Sequence, residues 1–385
     1  MVRNAIRKRA KQVLKYAITK YWLYLAKNSD YIFVAPLISR NGGAAAVGWR
    51  YITTLLQHNP KYKITVIITS SRNPVGMPKG VKIIRFPSEI VKSHREYMDN
   101  KIAEIILTTK PKALHIIEEF GFFANEQIAS QIYLHSKVFL SMFLLWDPQD
   151  GGGWHLLTRN PQLIAYIDHI YTDNQYIIDF MADKYGLPRS KFTRHYQPAP
   201  LLSSVKIREL HSPLRIFWAA RLDAQKRPDI SVEIARQLHN KGIEAEIDIF
   251  GSHVLSNDYQ AIIDDYRGYK GAFTGGLGTI AHGYDAYLST TSIEGMPNAI
   301  LEAAALGLII IAPNVGGIGE IIKQETGYLI HDYSDIDSYV DVIQRIINKP
   351  AEAVKKAAAV KNLVRAQHSQ SILRKMILSD KDYLV

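Results

Sequence analysis

The 385-residue chain contains no cysteine, which excludes disulfides, thiolate nucleophiles and cysteine-ligated metals. It has no apolar run of the 18 or so residues needed to span a bilayer. The basic first residues lack the apolar stretch and small-residue cleavage site of a secretory signal. A cytoplasmic protein is therefore expected. There is no cluster with zinc-ligand spacing, no G-x-G-x-x-G fingerprint, no short repeat and no low-complexity tract. Acid is missing in one place: residues 1–29 carry Arg3, Arg7, Lys8, Arg9, Lys11, Lys15, Lys20 and Lys27, with no carboxylate before Asp30.

Those eight cations account for most of the net charge of +11. The basicity belongs to one segment rather than to a cleft stripe with stacking aromatics, which argues against nucleic acid. On a helical wheel Ala10, Leu14, Ala17, Ile18, Tyr21 and Leu25 share one face and Lys8, Arg9, Lys15, Lys20 and Lys27 the other. With Trp22, Tyr21 and Tyr24, this basic amphipathic helix suits an anionic membrane surface. The competing reading is a helix packed on its own domain or on a partner protein. A peripheral location at the inner face of the cell membrane is expected, and a homo-oligomer stays open.

With 47% hydrophobic and 22% charged residues, the chain as a whole has ordinary globular composition and length for two domains. Apolar runs alternate with helical stretches: YIFVAPL, a helix through Trp49–Leu56, KITVIIT, VKIIRF, ALHII, KVFLSMFLL and HIYTD. After a Pro- and Ser-spotted segment ending near 212 the alternation restarts with LRIFWAA, AEIDIFG, GAFTG, YDAYLST and LIIIAPN. The expected fold class is α/β, two Rossmann-like domains facing a central cleft, with the extra basic helix in front. The expected boundaries are 1–29 for that helix, 30–212 and 213–365 for the two domains, and 366–385 for a last helix returning to the first.

The stretch IEGMPNAILEAAALGLIIIAPNVGG puts Glu294 and Glu302, separated by seven residues, into an apolar, small-residue run. Pro297 suits the first turn of a helix and Gly307 its left-handed stop. Glu294 then lies at a strand-to-helix turn and Glu302 about one and a half turns into the helix. A carboxylate among alanines is costly unless something hydrogen-bonds to it. Sugar and ribose hydroxyls would, because an ionised carboxylate only accepts. Upstream, ARLDAQKRPD sets Arg221 and Lys226 in the turn after a strand. Fixed cations there would stabilise a leaving diphosphate.

These segments resemble the family-4 retaining glycosyltransferases of GT-B fold, with their E-x7-E signature and G-R-L-x-x-x-K turn. Ala220 stands where that family usually has glycine. The resemblance implies that Glu294 contacts the donor sugar, that Glu302 binds ribose, and that Arg221 and Lys226 hold the diphosphate. It places the backbone of Met296, Pro297 and Asn298 near the sugar. Gly251 would pass beneath the nucleotide, and Thr274 and Gly275 would hold the base. Gly42 and Gly43 would face the donor phosphate. The implied activity is metal-independent transfer of a sugar from a nucleotide diphosphate, UDP first and GDP or dTDP next, to a hydroxyl of a glycan or lipid-linked acceptor. Bacterial cell-envelope polysaccharide assembly is the expected setting. A non-catalytic GT-B partner subunit and a sugar-nucleotide 2-epimerase are the alternatives.

The family's usual histidine after KVFLSMFLL is replaced by Trp146–Asp147. Asp147, and less directly Asp150, His155, Glu118 and Glu119, are acceptor-side candidates. His115 reads as a satisfied core histidine. The D-x-D at Asp335–Asp337 reads as a helix cap, Ser334 with Asp337, rather than a metal site, and no metal requirement is expected.

Overall fold

The structure, a computed structural model, describes residues 17–40, 44–118, 121–143, 157, 159–199, 209–253 and 258–385. The chain divides into two compact units: Met1–Thr172, Ile178–His195 and Arg374–Val385 form the first, Asp173–Ile177 and Tyr196–Leu373 the second.

The first unit is built on seven parallel strands, β1 (Tyr31–Ala35), β2 (Ile64–Ile68), β3 (Lys82–Arg85), β4 (Ala113–Ile117), β5 (Lys137–Ser141), β6 (His169–Thr172) and β7 (Phe192–Arg194). Their order is β3-β2-β1-β4-β5-β6-β7. Every residue of β1, β2 and β4 is buried, as near-continuous apolar runs, interrupted only by Thr65 and His115, in a parallel sheet covered on both faces should be. The helix expected through Trp49–Leu56 spans Ala44–His58. The strand expected over Lys137–Leu145 ends at Ser141. Strand β7 is not among the strands expected from the sequence; its three residues are too few to show a period, and pairing with β6 makes it a strand.

One polar cluster threads this core. His115 is fully buried, its Nδ1 2.6 Å from the Tyr383 hydroxyl and its Nε2 2.7 Å from Ser141 Oγ. Burial holds its pKa down at about 3, so the satisfied core histidine expected from sequence is what the fold contains. Nearby, Tyr51 OH meets His195 Nδ1 at 2.5 Å, and burial lowers His195 to about 4. Tyr31 OH donates to the Tyr383 carbonyl at 2.8 Å, anchoring the tail.

Residues 17–26 are helical; residues 1–16, with most of the cations, lie outside the described residues. Trp22 corrects the wheel. It is buried against Phe86, ring centroids 4.6 Å apart, beside buried Thr19 and Ala26. Spacings of three and four residues put these on one helix face. Tyr21 and Tyr24 point outward, 60% and 69% exposed.

The second unit is a six-stranded parallel sheet: β8 (Leu214–Ala219), β9 (Ala245–Phe250), β10 (Tyr269–Gly271), β11 (Ala286–Leu288), β12 (Ile309–Pro313) and β13 (Tyr328–Ile330), in the order β10-β9-β8-β11-β12-β13. The strand expected as GAFTG instead ends at Gly271, and β13 was not anticipated. The helix expected to begin near Tyr339 spans Ile336–Asn348, and its cap is Asp335, which accepts the Ser338 N–H at 3.2 Å. Ser334 bonds to Asp332 and Asp337 pairs with Lys241. The cap expected from Ser334 and Asp337 is thus one residue's work, Asp335, the only one of the three in the capping position.

Candidate active site

In the second sheet the strand order reverses between β8 and β11, and ligands of such sheets bind beyond the carboxyl ends of the strands at that switch point. The turn after β8 carries Arg221 and Lys226; the turn after β11 carries Glu294. They line one cavity of about 140 Å³, with Ser289, Tyr287 and Pro297. Three residues that sequence linked only through a resemblance are therefore neighbours.

Glu294 is 8% exposed, and its carboxylate is in direct contact with the Lys226 ammonium. The Arg221 guanidinium donates to Gln225 Oε1 at 2.7 Å and pairs with Asp223 at 2.9 Å. Gln225 stitches the two turns together: its side-chain amide donates to the Ile293 carbonyl at 2.8 Å, and its own carbonyl accepts the Ser292 N–H at 2.9 Å. Asp223 and Gln225 escaped the sequence reading. Nothing in a lone glutamine announces a partner 68 residues away; the available signal was only its place between the two cations.

The loop under Glu294 depends on Gly316. It has φ +57°, and a Cβ there would lie 1.9 Å from the Glu294 carbonyl oxygen. Gly317 N–H donates to the Gly295 carbonyl at 2.8 Å. The following helix is Asn298–Leu306 with Gly307 at its left-handed C-cap. Pro297 is its N-cap, one position before the first turn expected for it, with extended backbone. Met296 turns its side chain into the core beneath the helix, so only its backbone is available to a ligand.

Glu302 is not an ordinary surface glutamate. Its Oε1 accepts the Leu277 N–H at 2.7 Å, fixing the turn Leu277–Thr279. Burial pushes its carboxyl up, while the Leu277 and Gly278 N–H groups pull it down. Gly276 lies so close that a Cβ would meet Glu302 Oε1 at 2.5 Å. The Thr274 carbonyl accepts the Thr279 hydroxyl at 2.9 Å, which holds the Thr274–Gly275 loop. Gly251 follows β9, its N–H bonded to Gly271 O at 2.9 Å.

In the first unit Glu118 follows β4 with φ +51°. Burial raises its carboxyl to about 7, opposed by the Phe143 N–H that it accepts. Gly42, Gly43, Glu119, Asp147, Asp150 and His155 lie outside the described residues. Among the described residues no group of acids and histidines is arranged to hold a metal ion.

Residues 204–363 match the family model for glycosyl transferases group 1. This stretch takes in both turns of the site. The amylovoran biosynthesis glycosyltransferase AmsK of Erwinia amylovora is 27% identical over 184 residues, 44% of this chain and 45% of AmsK. The aligned part thus spans less than half the length of that relative. Among solved structures, sucrose-phosphate synthase from Thermosynechococcus elongatus superposes with a TM-score of 0.73 at 12% identity, over 91% of this chain and 98% of that one. Anabaena HepE in complex with UDP and glucose gives 0.66 at 10% identity, over 91% and 99%. The fold is GT-B, with two Rossmann-like parallel-sheet units.

Proposed function

We propose that the protein is a retaining, metal-independent glycosyltransferase that moves a sugar from a nucleoside-diphosphate donor to a hydroxyl of a glycan or lipid-linked acceptor. The observation that carries this reading is the convergence of Arg221, Lys226 and buried Glu294 on one cavity at the switch point of the second sheet. As the bond from the anomeric carbon to the diphosphate breaks, negative charge grows on the leaving phosphate, and two fixed cations lower that barrier. Lys226 exchanges its contact with Glu294 for a phosphate oxygen, which releases the carboxylate to accept hydrogen bonds from the sugar hydroxyls. Glu302 serves the ribose. The cations supply the charge that a divalent ion would otherwise provide.

Retention and the nucleotide roles follow the family resemblance. UDP is the first choice of donor, supported by the UDP held in HepE. Bacterial polysaccharide assembly is supported by the amylovoran relative. A peripheral position at the inner membrane face is part of the same reading. In its support, the solvent side of the helix at 17–26 bears Tyr21 and Tyr24 beside exposed Lys20 and Lys27, a combination suited to anionic headgroups. Among the described residues no helix is long and apolar enough to cross a membrane.

The test is thermal stabilisation by UDP, GDP, dTDP and ADP in EDTA, for the parent and Glu302→Ala. One nucleotide is expected to raise the melting temperature of the parent and not of the variant. No shift with any of the four at millimolar concentration would count against the transferase and favour a non-catalytic subunit.

A further inference from the structure

Glu320 lies three residues beyond the Gly316–Gly317 turn, and its carboxylate does not point to solvent. Its Oε1 accepts the N–H of Gln175 at 2.6 Å and of Tyr176 at 3.1 Å. The next donor, Ile177 N–H, goes to Asn174 Oδ1 at 2.9 Å. Glu320 and Asn174 together thus satisfy the first three amides of the helix Gln175–Tyr185. Those amides are the ones a helix cannot satisfy internally.

The short segment Asp173–Ile177 belongs to the second unit, although the chain on either side of it belongs to the first. It seats directly on the glycine turn: a Cβ on Gly317 would lie 2.7 Å from Asn174 Cβ. Asn174 is fully buried, its amide donating to Asp173 at 2.7 Å. On its other side the same turn holds the backbone of Glu294 and Gly295 through the Gly316 approach and the Gly317 hydrogen bond. The order of contacts is Gln175 and Tyr176, Glu320, Gly316–Gly317, then Glu294.

We propose that Glu320 is a positioning residue of the donor-sugar subsite. By clamping the glycine turn to the segment Asp173–Ile177 it fixes the backbone from which Glu294 reaches the sugar. It touches no donor atom itself. This rests on the reading of Glu294 as the sugar contact. Its consequence is selective: the nucleotide, held by Arg221, Lys226 and Glu302, does not depend on the clamp, whereas the sugar does.

The experiment compares binding of UDP with UDP-glucose, UDP-galactose and UDP-N-acetylglucosamine, and of GDP and dTDP with GDP-mannose and dTDP-glucose. The full chain is compared with Glu320→Ala, Glu320→Gln and Glu294→Ala. In Glu320→Ala the nucleoside diphosphate that binds the parent should keep its affinity within about twofold. The preferred sugar nucleotide should bind about tenfold to a hundredfold more weakly, the scale expected of a small misplacement. Glu320→Gln should restore binding, because an amide oxygen can accept both N–H groups. Glu320→Ala should add little in the Glu294→Ala background.

Equal losses for nucleotide and sugar nucleotide would reveal a merely structural role and overturn the proposal, as would unchanged binding of both. Failure of the parent to bind any nucleotide would overturn the transferase reading and the clamp with it. That result is distinguishable, because it appears before any variant is made.

Discussion

The ammonium of Lys226 touches the carboxylate of Glu294, 68 residues further along the chain, in the wall of the cavity between the ends of β8 and β11. Each half of this pair is expected to matter in a different way. Lys226→Met leaves a buried carboxylate without its cation, and should lower stability by about 1–3 kcal/mol. Adding Glu294→Gln should recover most of that loss while leaving activity low. Chemical denaturation of the two single variants and the double variant checks the cycle.

On activity, Arg221→Ala and Lys226→Ala are each expected to reduce kcat by roughly 10² to 10³-fold, the range measured for removal of a fixed donor to a developing charge. The check is turnover of the donor identified by thermal shift. A loss confined to KM would mean that the cations bind ground state and transition state alike.

Gly316 allows a purely steric prediction. A Cβ at this position falls 1.9 Å from the Glu294 carbonyl oxygen, at a φ of +57°. Gly316→Ala should therefore cost about 2–4 kcal/mol or displace the turn. Either result should displace Glu294 and weaken sugar-nucleotide binding, seen as a lower melting temperature that the sugar nucleotide raises less than its nucleoside diphosphate does.

Glu118 sets a pH dependence. Its carboxyl is raised to about 7 in the fold, against about 4.3 in an unfolded chain. Between those values the folded protein keeps a proton that the unfolded chain has lost. Its contribution to stability is therefore present at low pH and declines as pH rises through about 7. Glu118→Gln should be more stable than the parent by about 1–3 kcal/mol at pH 8 and nearly equal to it at pH 4. Melting curves at the two pH values decide this.

His115 and His195 act in the opposite direction. Both are buried and neutral, lowered to about 3 and about 4, so their contribution is complete above about pH 6.5 and falls as pH drops towards 4. In Glu118→Gln, which removes the opposing carboxyl at the end of β4, hydrogen exchange at pH 5 should show strands β4 to β6 about 2–4 kcal/mol less protected than at pH 7. Strands β8 and β9 should change less.

Much of this was legible in the sequence, for physical reasons. Strands β1 and β12 are unbroken apolar runs, and β2, β4 and β8 are each interrupted by a single residue, Thr65, His115 and the exposed Arg215, so their burial follows largely from composition. Strands β7 and β13 have three residues each, too few to display a period, and exist because a neighbouring strand offers its edge. Glu294, Glu302, Arg221 and Lys226 stood out because charges in apolar or strand-end settings need a reason. Gln225, Asn174 and Glu320 did not, because their roles lie in partners between 68 and 145 residues distant. Trp22 misled because a single wheel cannot say which side of a helix meets the body, and Phe86, which decides it, lies on another segment.

Tyr383 is fully buried in the first unit, with its ring 4.8 Å from that of Phe139 and its hydroxyl on His115. A ribosome making this chain delivers β1 to β7 first, yet the piece that closes their core emerges only after all of Tyr196–Leu373. The unit begun first is completed last. Until then its buried histidines and tyrosines wait with a gap where Tyr383 belongs, while the later-made sheet already has every strand it needs.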